Sequence, residues 1–232
     1  GLPNCSIRVT IPRDMVGPLL VYYAIGPYYQ NYNDYLKSEV TKELRGLRVT
    51  EAEREDKCRQ PATREYEGES FAPCGMKAMS LFNDTYSITR AGLEIPIDTA
   101  RNVAWESDGE RYQNPPDYPD RFNTSWLYER FPTVVSEREG VKNQAFANWM
   151  RPSAIPRVWN KYGYVAGSLR KGDEIAVAVS NNYPAKSLRA FKMLVITETT
   201  PLGARHNGFG IMLMVASAGC LVAAALVAAA DR

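Results

Sequence analysis

Apolar and polar residues alternate along several short stretches of this chain, and each such stretch predicts a β-strand. Residues 5–11 place Ile7, Val9 and Ile11 on one face, the pattern of a half-buried strand. Residues 17–25 are an apolar run containing Tyr22-Tyr23 and predict a second strand, whereas 28–38 are aromatic and polar without a clean period. Short strands are expected at 93–97 and 102–105. The clearest are 174–179, with Ile175, Val177 and Val179 in alternation, and 188–197, rich in β-forming residues. Asn181-Asn182-Tyr183-Pro184 between them reads as a turn. Helical composition appears only briefly, at 76–82 and at 144–150, where Pro152 stops it. Asn-Pro-Pro-Asp-Tyr-Pro-Asp-Arg at 114–121 is a turn-rich connection. Many short strands joined by Pro and Gly predict a mainly β chain, an antiparallel β-sandwich with short helical insertions.

One stretch obeys neither period. Residues 208–230 are 23 consecutive uncharged positions. As a helix they rise about 1.5 Å each, roughly 34 Å in all, enough for a hydrocarbon core of about 30 Å. Such a run is viable in lipid as a helix that satisfies its own backbone, and it lacks the polar stripe of a soluble helix. Arg205 and His206 precede it, and Asp231 and Arg232 follow. The expected organisation is an ectodomain over 1–207 and a C-terminal transmembrane helix over 208–230. Within the span, Ala216, Cys220, Ala224 and Ala228 recur every fourth residue beside Gly219 and Ala223. Such a ridge of small side chains lets another helix pack closely.

Charge changes the picture little. A net charge of +2 gives no basic field for nucleic acid. Residues 41–70 hold seven positive and eight negative side chains, which predicts a solvated loop or short surface helix. Chemistry is sparse. His206 is the single histidine, so a histidine-based metal site or a Ser-His-Asp triad has one residue to build on. There is no phosphate loop and no dinucleotide fingerprint. Carboxylates such as Glu106 and Asp108 read as structural or solvating. No catalytic residue, metal or cofactor is expected.

With Cys220 in the span, Cys5, Cys58 and Cys74 remain in the polar part. A disulfide between Cys58 and Cys74 would close the charged loop and contribute about 3 kcal/mol, leaving Cys5 to an upstream partner; three free thiols are the other reading of the spacing. Sequons for N-glycosylation begin at Asn4, Asn83 and Asn123, a mild excess over chance. Asn83 and Asn123 are the expected acceptors, and Asn4, next to Cys5, the weaker one.

Seven fragments in order then carry a resemblance. They are Tyr22-Tyr23 with Tyr28-Tyr29-Gln30-Asn31 and Tyr35-x-Lys37-Ser38; Pro73-Cys74-Gly75; Ser80-x-Phe82-Asn83-Asp84-Thr85; Ala104-Trp105 with Asp108; Trp149-Met150-Arg151; Asn181-Asn182-Tyr183-Pro184; and Leu202-Gly203. Together they resemble the ligand-effect-modulator family, the non-catalytic β-subunits of fourth-class P-type ATPases that flip phospholipids. Gly26-Pro27 and residues 156–163 depart from the family pattern. The resemblance implies a two-span membrane protein whose first span lies upstream, with a large exoplasmic antiparallel sandwich. It implies a Cys58–Cys74 disulfide and a glycan at Asn83. It also implies a heterodimer with the ATPase catalytic subunit among membrane lipids, in the endoplasmic reticulum, Golgi, endosome or plasma membrane, where the subunit supports assembly, export and lipid translocation. Nucleotide chemistry would belong to the partner. The alternative is a stand-alone membrane-anchored receptor or glycan-binding sandwich, with the Tyr-rich block lining its recognition face.

Overall fold

A computed structural model describes residues 4–200, 203–204 and 207–230. Arg205, His206, Asp231, Arg232 and Leu202 of the last sequence fragment lie outside the described residues. The chain forms two compact units, Gly1–Thr197 and Glu198–Arg232.

In the first unit the alternating segments form two main sheets. One has the order β1 (Cys5–Thr10), β10 (Glu174–Ser180), β5 (Thr85–Arg90) and β6 (Leu93–Ile95), antiparallel throughout. The other sets β2 (Leu19–Gly26) between β9 (Val158–Val165) and β11 (Phe191–Thr200), with β7 (Ile97–Asp98) outside β9. Leu19, Val21 and Val165 of this sheet share one apolar cluster with Ile88, Ile175 and Val177 of the other, which makes the pair a sandwich. A third, small sheet joins β3 (Glu65–Tyr66), β4 (Glu69–Ala72) and β8 (Thr124–Trp126), and its β4–β8 pairing is parallel.

The helical insertions are one or two turns long: α1 (Asn33–Lys37), α2 (Thr41–Leu44), α3 (Glu51–Lys57), α4 (Met76–Met79), α5 (Glu106–Gly109), α6 (Leu127–Arg130) and α7 (Gln144–Trp149). Helices this short do not stand alone in water. Helices α2, α4, α6 and α7 are held by a second core in which Leu44, Ala78, Leu127, Phe146 and Trp149 cluster with Ile25 of β2 and Val158 of β9.

Several expectations change. On β1, Ile7 and Val9 are exposed, because only Ile11 just beyond the strand is buried. The 102–105 stretch is not a strand; Val103 and Ala104 are buried within an irregular segment. The charged 41–70 stretch, read as a solvated loop or short surface helix, contains the short helices α2 and α3, and also a 3-10 turn at Pro61–Thr63 and β3. Strands β5 and β9 were not evident from the pattern. In β9, Asn160, Lys161 and Gly163 interrupt the apolar run. Gly163 is needed there: a Cβ would sit 2.6 Å from the Asp98 carbonyl oxygen of β7.

In the second unit, the end of β11 pairs with β12 (Gly203–Ala204) through Thr199↔Ala204 and Thr200↔Gly203. Helix α8 (Asn207–Ala230) follows, and its stretch Gly208–Ala229 is long and apolar enough to cross a membrane.

Candidate partner-binding site

The sequence fragments come together in space mainly as internal supports. Asp84 is a hub. Its side chain is fully buried, and its Oδ1 accepts the amides of Asn182 (2.8 Å) and Tyr183 (2.7 Å). Lys192 of β11 pairs with its other oxygen and also donates to Asn181 Oδ1 and the Tyr183 carbonyl. One carboxylate thus fixes the turn between β10 and β11 against the start of β5, and satisfies groups that burial would otherwise penalise. Above it the aromatic residues interlock. Tyr23 stacks on Phe82 at 3.9 Å, and Phe82 and Trp149 approach Tyr183 at 5.2 and 6.0 Å. Burial, then neighbouring Tyr28, drives the Tyr183 phenol pKa far upward, so it stays neutral. Trp149 Nε1 donates to the Lys77 carbonyl at 2.9 Å.

Gln30 is wholly buried and joins two distant fragments, donating to Tyr35 Oη (3.1 Å) and accepting from the Ser153 amide (2.9 Å). Asp108 grips Arg151, whose guanidinium lies 5.2 Å over the exposed ring of Trp105. This hydrogen bond raises the Arg151 pKa and keeps the cation on the surface.

A second support surrounds the cysteines. Cys58 and Cys74 are bonded and buried. Thr50 and Glu53 form a capping box that starts α3, which turns Arg54 inward. Arg54 pairs with Glu43 of α2 and donates to the carbonyls of Phe71 (2.7 Å) and Arg64 (3.3 Å). Glu43 also accepts the Cys74 amide at 2.8 Å. Burial raises the Glu43 pKa against the opposing pull of Arg54 and that amide. Gly75, with φ +117°, closes this corner; a Cβ there would stand 2.2 Å from the Ser38 carbonyl oxygen. The Glu43–Arg54 pair and the Lys192 partner of Asp84 are the residues that reading the sequence missed. The Thr50-x-x-Glu53 box was the available signal for the first; nothing local signals the second.

The remaining site residues lie outward. Asn123 is exposed at φ +53°, next to Phe122, which is 87% exposed. Asn83 is half-buried, and its carbonyl accepts from Asn182 Nδ2 at 3.0 Å. Asn4 is exposed, its Oδ1 accepting the Asn181 amide at 3.4 Å. Cys5 and Cys220 are free and exposed. Ala216, Cys220, Ala224 and Ala228 are all exposed on α8. Among the described residues no group of three or more His, Cys, Asp or Glu side chains is placed to hold a metal ion. The large apolar side chains left in the open include Phe122, Trp105, Tyr29, Ile155 and Trp159, the kind of surface that marks protein contacts.

A disulfide-bonded β-sandwich together with a helix long and apolar enough to cross a membrane defines the class. The chain belongs to the LEM3 (ligand-effect modulator 3) family, also called the CDC50 family, whose model matches residues 2–231. It is 33% identical over 224 residues to "Putative ALA-interacting subunit 4" of Arabidopsis thaliana, covering 94% of this chain and 63% of the relative. It is 28% identical to "Phospholipid-transporting ATPase accessory subunit CRF1" of Saccharomyces cerevisiae, over 93% of this chain and 56% of the relative. With "Cell cycle control protein 50B" of Homo sapiens it shares 27% identity, over 94% of this chain and 68% of the relative. The chain spans 61% to 63% of the length of three Arabidopsis relatives that it matches.

Proposed function

We propose that this chain is the exoplasmic and anchoring part of a non-catalytic accessory subunit of a phospholipid-transporting, fourth-class P-type ATPase. The carrying observation is the family match over nearly the whole chain, to relatives named as accessory or interacting subunits. The geometry supports it: the family fragments hold one scaffold rigid, and exposed aromatic side chains and α8 remain for a partner. The subunit would support assembly of the ATPase, its export from the endoplasmic reticulum and lipid translocation, with ATP hydrolysis in the partner. The domain over 1–207 would lie on the lumenal or extracellular side of a secretory-pathway membrane, in a compartment where the Cys58–Cys74 bond persists. Helix α8 over 208–230 would cross that membrane. Asn83 and Asn123 would carry glycans, and Asn4 is the third acceptor.

Two experiments test this reading. Affinity purification of the full-length protein should bring down a large P-type ATPase in stoichiometric amount; recovery without one contradicts the proposal. The Asn83→Gln variant should migrate faster than the mature protein on a denaturing gel, and unchanged mobility would refute the glycan at that site.

A further inference from the structure

Arg130, at the end of α6, is a half-buried cation without a carboxylate partner. Its guanidinium lies over the rings of Tyr66, at 4.8 Å, and Phe131, at 5.3 Å. The residue is half-buried, and its Nε is buried without a hydrogen-bond partner. The nearby carboxylates are engaged elsewhere: Glu129 accepts the Trp126 amide at 2.8 Å, and Glu67 hydrogen-bonds Tyr66. Other cations drawn into the fold each have an acid, Arg54 with Glu43, Lys77 with Glu39 and Lys192 with Asp84. Taking a cation out of water is costly unless it is paired, and burial lowers the Arg130 pKa against the influence of Tyr66.

Arg130 lines a cleft of about 440 Å³, within the range of about 300–1,000 Å³ that suits small molecules. Tyr28, Tyr66, Phe131 and Tyr183 supply flat apolar walls, and Asn182 supplies an amide. The planar guanidinium fork matches an oxyanion with two parallel hydrogen bonds, and rings bind well against aromatic faces.

We propose that this cleft binds a small oxyanion, a carboxylate or a phosphate monoester, carried on a ring that the aromatic walls hold, with Arg130 as the donor. The proposal stands apart from the accessory-subunit reading, since the cleft is complete within the sandwich unit. The test is calorimetric titration of the full chain in detergent, produced in bacterial cells that add no N-glycans, with glucuronate, glucose 6-phosphate, glucose and inorganic phosphate. Saturable binding of glucuronate or glucose 6-phosphate is expected, and the tighter of the two identifies the anion. Glucose should not bind. Arg130→Gln should weaken binding at least tenfold. Leu188→Glu, which sets a carboxylate on the exposed rim and leaves Arg130 in place, should weaken it similarly. Absence of saturable binding to the wild type, or unchanged affinity in a folded Arg130→Gln, overturns the proposal. Inorganic phosphate binding as tightly as glucose 6-phosphate overturns the role of the walls.

Discussion

Asp84 shows how a single residue can hold a loop-rich sandwich together. Its carboxylate serves two amides and Lys192, a residue 108 positions away. Removing one member of such a buried set leaves the others unsatisfied, at about 3–5 kcal/mol. Asp84→Ala should therefore lower the unfolding free energy by about that amount in denaturant titration; a loss below about 1 kcal/mol would contradict the hub. Glu43 makes a different prediction. Burial raises its pKa above the ordinary 4.5, so the folded chain holds this proton at a pH where the unfolded chain has released it. The stability it contributes is complete below the unfolded value and is lost as pH rises through the raised folded value. Glu43→Gln should flatten the fall of stability as pH rises above 4.5; identical slopes would contradict the raised pKa. Asp84 could be read as part of a recognisable fragment, but its role could not, because Lys192 lies on another strand. Glu43 and Arg54 were hidden by their charged neighbours: composition reports how many charges a segment has, and only the fold decides which two turn inward.

Elements were legible where the apolar period was clean. Strands β2 and β10 and helices α4 and α7 follow from alternation or short helical runs, and α8 from its lack of charge. β9 was not legible, because its Lys161 is satisfied from outside the strand by the Asn102 carbonyl at 2.8 Å. β1 was placed correctly, yet its exposure could not be read, since Ile7 and Val9 alternate as core residues do. The candidate site was legible in its bonded cysteines and illegible in the Arg130 cleft, whose walls come from separated segments. For α8 the ridge carries a prediction. Helices in lipid associate through close packing of small residues. Placing Leu at Ala216 and Ala224 should therefore weaken partner association by overpacking while the sandwich stays folded. Quantitative co-purification with unchanged ectodomain stability checks this; normal assembly of the double variant would turn that face to lipid.

For the whole molecule, the described residues leave large apolar side chains exposed on the sandwich unit and an apolar helix in α8. Under the proposed accessory role, these are the surfaces that a partner would cover. The fragments that carry the family resemblance sit mostly inside the sandwich unit and support its scaffold, and under the same proposal the exposed side chains would set partner choice. The most direct test is to co-express the full-length protein with its co-purifying ATPase and measure lipid-dependent ATP hydrolysis by the complex and by each purified part. The account predicts hydrolysis by the complex, its loss from the ATPase when this subunit is withheld, and none by this subunit alone. ATP hydrolysis by the purified subunit, or full lipid-dependent activity of the ATPase without it, would contradict the account.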